Sequence, residues 1–359
     1  MQTLDSISMA QLIQIGFEQG ASDVFLKAGQ RPMMKQFSVV CPLPGDFPIL
    51  DGATTDRLAH SLMNERMASN FEKNLEMDLA FEVPGKCRVR TNVYRERGAV
   101  ALVCRIIPLD IRTLEQLGLP KVLETVTKHR QGLVLVTGPT GSGKTTTLAA
   151  LIDIINQTRK CHIVTVEDPL EIVHQDKDAY ISHREIGIDT LDFQPALRAV
   201  VREAPDVILI GEMRDVITMN VAMQAGETGH LVFSTVHTAS AYETLDRIVN
   251  MFPPHEKVHL CQRMANSLKA IVAQKLVPRC DGPGRVVVNE ILIVTPTVQK
   301  AIEDGHFGDL YHMMNEGAFW GMQTMNQSLA RYVRAGIIDE DVALTYSGIV
   351  SELKQLLRQ

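Results

Sequence analysis

Gly138-Pro139-Thr140-Gly141-Ser142-Gly143-Lys144-Thr145 stands between an apolar run, Leu133-Val134-Leu135-Val136, and the segment Thr146-Thr147-Leu148-Ala149-Ala150-Leu151-Ile152. The apolar run reads as a buried strand and the later segment as a helix. The glycine-rich stretch is therefore a turn that opens a helix. In that setting backbone N–H groups converge on phosphate oxygens, and the helix dipole favours negative charge. The Lys144 ammonium can reach the β- and γ-phosphates, and the Thr145 hydroxyl can ligate Mg²⁺. A glycine-rich turn that holds no nucleotide is the plain alternative, and the strand before and the helix after tell against it.

Downstream the pattern alternates between apolar runs and helical segments, as a parallel sheet requires. Strands are expected at 133–137, 161–166, 207–211 and 230–236, a helix over 254–276, a further apolar run at 286–293, and mostly helix from about 296. Upstream, 7–20 and 54–74 have helical spacing, with Gly20 as a stop to the first. Strands are expected at 22–27, 78–83, 87–95 and 98–105. The fold class is α/β: a small α+β domain over 1–107, a linker over 108–118 in the boundary stretch Pro108 to Pro120 with its two prolines, and a nucleotide-binding domain over 119–359. The chain shows no internal repeat and no low-complexity tract.

Composition narrows the function classes. With 359 residues, 45% hydrophobic and 22% charged, the chain suits a soluble globular protein of about two domains. No apolar run approaches the ~20 residues of a membrane span. Met1-Gln2-Thr3-Leu4-Asp5-Ser6 lacks a basic stretch followed by an apolar one, so no signal peptide is expected, and membrane contact should be peripheral or through a partner. A net charge of −6 argues against general nucleic-acid binding. The six cysteines form no Cys-x-x-Cys pair and read as scattered thiols of a reducing cytosol.

Three further segments carry candidate chemistry. Val166-Glu167-Asp168-Pro169-Leu170-Glu171 puts three carboxylates at a strand end, able to position water or hold Mg²⁺, or else to form a solvated turn. Asp206-Val207-Ile208-Leu209-Ile210-Gly211-Glu212 matches the second half of a nucleotide site, where Glu212 would polarise the attacking water and help organise Mg²⁺. Gly211 stands where Asp is usual, so metal contact is expected through water. His230 and His237 bracket the strand 231–236, and an imidazole at such a strand end can donate to a γ-phosphate. Arginines recur as well. Arg198 and Arg202 stand four apart, as on one helix face, and Arg88 and Arg90 share a strand face. For any one arginine, a solvated surface role competes with a role in charge neutralisation.

In this order the four motifs resemble the Walker A, Asp box, Walker B and His box of the secretion and pilus ATPase superfamily. Gly20-Ala21-Ser22-Asp23-Val24-Phe25-Leu26 and Gly321-Met322-Gln323-Thr324-Met325 resemble its twitching-motility branch, the PilT/PilU family. Ala204-Pro205-Asp206, Val298-Gln299-Lys300-Ala301-Ile302-Glu303-Asp304 and Leu268–Pro278 favour PilU, whereas Phe233-Ser234-Thr235-Val236-His237-Thr238 is closer to PilT. The resemblance implies a PAS-like N-terminal domain hinged to a RecA-like domain, assembled as a cytoplasmic homohexamer peripheral to the inner membrane. It implies ATP and Mg²⁺ as ligands, an inner-membrane pilus platform protein as partner, and for a PilU-like chain a PilT-type ATPase beside it. By the same resemblance Lys144 and Thr145 bind phosphate and Mg²⁺, Glu212 is the catalytic base assisted by Glu171, and His230 and His237 sense the γ-phosphate. Thr146 lies in the nucleotide-binding turn, and Arg90 and Arg105 close onto nucleotide with support from Arg198, Arg202 and Arg214. Other readings stay open: an assembly or secretion ATPase, which often carries a Cys-x-x-Cys pair; a conjugation-type ATPase, which differs at the N-terminus; and a nucleotide-binding ring component that depends on a partner ATPase.

Overall fold

A computed structural model of the chain describes residues 4–36 and 39–358. Of the N-terminal stretch read above, residues 1–3 lie outside the described residues. The chain divides into two compact units, Met1–Asp110 and Ile111–Gln359.

The first unit comprises α1 (Met9–Glu18), β1 (Asp23–Lys27), β2 (Met33–Gln36), β3 (Val39–Pro42), α2 (Gly52–His60), α3 (Glu65–Asn74), β4 (Glu76–Val83), β5 (Cys87–Glu96) and β6 (Ala99–Pro108). Its six strands form an antiparallel sheet in the order β3-β2-β1-β6-β5-β4. One face is buried against the helices: Cys87, Val89 and Val93 of β5 point inward, with Leu12, Ile13, Leu58 and Phe71 in the same core. Alternation puts Arg88 and Arg90 on the opposite, half-buried face. The single helix expected over 54–74 is two helices. Asn64 stops the first arrangement because its side chain accepts the Met67 N–H, capping a fresh helix start. Strands β2 and β3 were not expected; they are four-residue elements toward the sheet edge with little alternation to read.

The second unit comprises α4 (Leu123–Val126), β7 (Gly132–Thr137), α5 (Lys144–Thr158), β8 (His162–Glu167), β9 (Tyr180–Glu185), α6 (Phe193–Val200), β10 (Val207–Ile210), α7 (Val216–Glu227), β11 (Leu231–Val236), α8 (Ala241–Asn250), α9 (Lys257–Ser267), β12 (Leu268–Pro278), β13 (Arg285–Ile293), α10 (Pro296–Glu303), α11 (Leu310–Glu316), α12 (Met325–Arg334), α13 (Glu340–Tyr346) and α14 (Val350–Arg358). Its sheet runs β13-β12-β7-β11-β10-β8-β9, parallel except for the edge strand β13. All six residues of β7 and of β11 are buried, as strands covered on both faces must be. One core packs α6–α10 on one face, a second packs α4 and α5 on the other, and a third joins β12 and β13 to the C-terminal helices.

The helix expected over 254–276 ends at Ser267, and Leu268–Pro278 is strand β12. A strand buried between β7 and β13 has no polar alternation, so its period does not separate it from a buried helix. Among the described residues no helix is long and apolar enough to cross a membrane.

Candidate active site

The parallel register brings the ends of four strands to one edge of the second unit. Val236 of β11 pairs with Thr137 of β7, Ile210 of β10 with Ser234 of β11, and Val166 of β8 with Ile210. The segments after these strands carry the phosphate-binding turn, Glu212, His237 and the carboxylates from Glu167 to Glu171. Ligands collect at this edge of an open α/β sheet.

The turn is shaped by its glycines. A Cβ on Gly138 would lie 2.4 Å from the Gln274 carbonyl and 2.5 Å from Ser142 Oγ, so no side chain fits there. Gly143, at φ 87°, precedes the first residue of α5, Lys144. Pro139, Thr140 and Gly141 are exposed, while Thr145 and Thr146 are half-buried in the first turn of the helix. Lys144 Nζ donates to the carbonyls of Gly138 (2.9 Å) and Pro139 (3.1 Å), so the ammonium curls over the turn. Burial pulls the Lys144 pKa down, opposed by the nearby Glu212 and Glu171 carboxylates. The buried Ser142 hydroxyl has no partner and faces into the cradle formed with Gly138.

Glu212 is the junction of the site. Its carboxylate pairs with Arg214 and lies 3.5 Å from His237 Nε2. Burial, then the charge of Lys144, lowers the His237 pKa and favours the neutral imidazole. Arg247 from α8 donates to the His237 carbonyl at 2.9 Å. Gly211 has a steric reason: a Cβ there would stand 3.3 Å from Glu167 Cα.

Glu167 is buried at the last position of β8, and burial pushes its pKa up to about 7. The nearby Thr165 hydroxyl and the Glu171 backbone oppose that rise. Thr165 Oγ1 also lies 2.9 Å from His183 Nδ1, and His183 stacks on the buried His174. Burial takes the His174 pKa down to about 4. Glu171 itself is exposed and close enough to Lys144 to affect its titration. Among the described residues no three His, Cys, Asp or Glu side chains cluster as a metal cage. The Thr145 hydroxyl and the Glu212 carboxylate would offer Mg²⁺ few oxygens, which fits an ion that keeps its waters and takes further ligands from phosphates.

The structure thus brings Lys144, Glu171, Glu212, Arg214 and His237 together. His230 is placed elsewhere. It precedes β11, seven residues of extended chain from His237 or roughly 20 Å along the strand. Its Nδ1 meets the Ala225 carbonyl at 3.1 Å, and its own carbonyl accepts Gly132 N–H at the start of β7. A γ-phosphate contact by His230 within this chain is therefore excluded: a six-residue strand carries its two flanking residues to opposite sheet edges. The shared helix face of Arg198 and Arg202 also fails. The helix α6 closes at Val200, and Arg202 lies in the following turn, where Ala204 at φ 53° and Pro205 end the helical path. Both arginines are exposed. In the first unit Arg90 and Arg105 stand opposite each other on β5 and β6 and line a cavity of about 230 Å³ with Asp23, Asp78 and Asn92. Arg105 Nε donates to Asp23 Oδ1 at 3.1 Å.

Gln274 was not anticipated. It is fully buried on β12; its Nε2 donates to the Ser142 carbonyl (2.7 Å) and its Oε1 accepts from the Thr147 hydroxyl (2.9 Å). The signal was available as one amide inside the apolar run Ile271-Val272-Ala273-Gln274.

The profile of a family described as Type II/IV secretion system protein matches residues 7–338. The chain is 41% identical over 337 residues to the type IV pilus retraction ATPase PilT of Pseudomonas aeruginosa, covering 94% of this chain and 97% of that protein. It is 37% identical over 348 residues to the type IV pilus ATPase PilU of the same organism, covering 97% and 91%. The chain belongs to the PilT/PilU family of ATPases. A crystal structure of the pilus retraction motor PilT with bound ADP matches this fold with a TM-score of 0.91 at 39% identity, covering 98% of this chain and 100% of that one. The chain is accordingly an ATPase of this family, and the glycine-rich turn with Glu212 beside it is the candidate site of its activity.

Proposed function

We propose that the chain is an ATP-hydrolysing motor for type IV pilus retraction, acting as a homohexamer at the cytoplasmic side of the inner membrane on a pilus platform protein. The observation that carries this reading is the convergence of Lys144, Glu212 and His237 on one sheet edge, in a chain alignable with PilT along nearly its whole length. Lys144 exchanges its hold on the Gly138 and Pro139 carbonyls for phosphate oxygens. Glu212 orients the attacking water and accepts its proton as the bond to the γ-phosphoryl group forms and the bond to the ADP leaving oxygen breaks. His237, kept neutral by burial, donates to the developing phosphate and registers its departure. Mg²⁺, held by the Thr145 hydroxyl and by Glu212 through water, supplies charge neutralisation on the phosphates when bound. Arg90 and Arg105 close onto nucleotide by family resemblance; their shared polar face, with carboxylates to exchange for phosphate, supports that role.

The segments 204–206, 268–278 and 298–304 favour a PilU-like motor working beside a PilT-type ATPase. The higher identity to PilT favours the second reading, a primary retraction ATPase. The first test is steady-state ATPase activity of the purified chain beside Glu212→Gln. Turnover in the unaltered chain, reduced about 100-fold or more in a variant that still binds nucleotide, supports a catalytic motor. No turnover in either sinks the self-sufficient motor and turns attention to a ring component that needs a PilT-type partner.

A further inference from the structure

Several buried polar side chains of the second unit reach the backbone of another element. Gln274 holds the Ser142 carbonyl, and Glu290 of β13 accepts the Ala241 N–H at the start of α8 at 2.7 Å. Asn156, fully buried in the last turn of α5, holds a whole segment. Its Nδ2 donates to the Gln175 carbonyl (2.8 Å) and its Oδ1 accepts the Lys177 N–H (3.1 Å). Its own carbonyl accepts the N–H groups of Asp178 (2.9 Å) and Ala179 (3.2 Å). One turn earlier Asp153 pairs with the Lys177 ammonium at 2.6 Å. An amide is the side chain this place requires, because it must meet a carbonyl with a donor and an N–H with an acceptor at once.

The held segment continues the carboxylate turn. Residues 168–173, with Glu171 among them, form no backbone-to-backbone hydrogen bond among the described residues. Upstream the chain is fixed at Glu167, whose carbonyl accepts the Ile186 N–H. Downstream the first fixed point is His174, whose N–H donates to His183 Nε2 at 3.1 Å, and the stretch bound to Asn156 follows. Lys144 opens the same helix, roughly 18 Å along its axis from Asn156. One helix therefore carries both the lysine of the phosphate-binding turn and the anchor of the segment that bears Glu171.

We propose that Asn156 is a positioning residue for Glu171 in ATP hydrolysis. By fixing 175–179 to α5 it gives Glu171 and Lys144 a common support, so that the two keep their spacing as nucleotide comes and goes. This rests on the reading of Lys144, Glu171 and Glu212 as the hydrolytic site. Asn156 stands at the end of α5 remote from the phosphate-binding turn, so its loss acts on turnover rather than on ATP capture.

The test uses the full chain with Asn156→Leu, with Glu171→Gln and with the two together. Leucine keeps a branched side chain and removes both of the amide's hydrogen bonds. Amide hydrogen exchange at Lys177 is expected to rise at least about tenfold in Asn156→Leu, since that N–H loses its acceptor. In the same variant kcat is expected to fall about tenfold, with KM for ATP within about twofold of the unaltered chain. In the Glu171→Gln background the substitution is expected to change kcat by less than about twofold, because a residue that acts through another adds nothing once that other is gone. Unchanged exchange at Lys177 overturns the proposal whether or not the chain hydrolyses ATP. The same fall in kcat repeated in the Glu171→Gln background also overturns it, as a merely structural Asn156 would give that result. A raised KM with kcat kept overturns it too. Full kcat in Glu171→Gln, or no turnover in the unaltered chain, is instead the failure of the reading beneath it, and the proposal falls with that reading. If Asn156→Leu gives no cooperative melt, Asn156→Ser, which leaves room for water at both partners, decides by the same criteria.

Discussion

Glu167 and His174 are buried titratable groups on either side of the Thr165–His183 contact, and their proton linkages have opposite signs. Folded Glu167 keeps its proton up to about pH 7, whereas its ordinary value is 4.5. Between those values the folded state holds a proton that the unfolded state has released, so this share of stability is lost as pH rises. Folded His174 refuses a proton down to about pH 4, against an ordinary 6.5. In that window the unfolded state takes up the proton, so this share of stability grows as pH rises. Each swing is about 3 kcal/mol, and the two oppose each other from pH 4.5 to 6.5. Urea unfolding is therefore expected to show a shallow pH profile in the unaltered chain. In Glu167→Gln stability should climb with pH across this window, and in His174→Gln it should fall. Three superimposable profiles would show that neither group titrates as its surroundings require. Neither linkage was legible in the sequence, where Glu167 is one of three carboxylates within five residues and His174 one of 11 histidines. Burial shifts both, and burial is a property of the folded chain.

At the scale of elements, the phosphate-binding turn was legible because strand, glycines and helix are contiguous and their geometry is local. Its brace was not. Gln274 comes from β12, which the hydrophobic pattern presents as the tail of a helix, and reaches Ser142 and Thr147 only because β12 lies beside β7. Gln274→Leu would leave the Ser142 carbonyl and the Thr147 hydroxyl buried without partners, at about 1–3 kcal/mol each. That cost is borne by the turn that cradles nucleotide. ATP affinity is expected to drop about tenfold or more, read as Kd for a fluorescent nucleotide, with the thermal midpoint lowered by a few degrees. Unchanged affinity would mean that the turn keeps its shape without this amide. The strands β3 and β9 at sheet edges, and β2 beside β3, escaped the sequence reading for the opposite reason. They are short or polar, and pairing with a neighbour rather than their own pattern makes them strands.

For the whole molecule, each hydrophobic core lies within one unit: the cluster around Leu12, Leu58 and Phe71 within Met1–Asp110, the other three within Ile111–Gln359. A fragment ending at Asp110 is therefore expected to fold alone and melt cooperatively, since its size suffices for an independent core. A fragment without a cooperative transition would place essential core contacts beyond residue 110. By itself the sequence determined the α/β class, the phosphate-binding turn, the candidacy of Glu212 and the order of the motifs, because each is written in contiguous residues whose chemistry is local. Only the tertiary structure decided that His237 joins Glu212 while His230 ends at the far edge of the sheet. It also decided that Gln274 supports the turn and that Glu290 meets the start of α8. Those outcomes depend on strand order and register, which bring together residues distant in the chain and separate residues that are close.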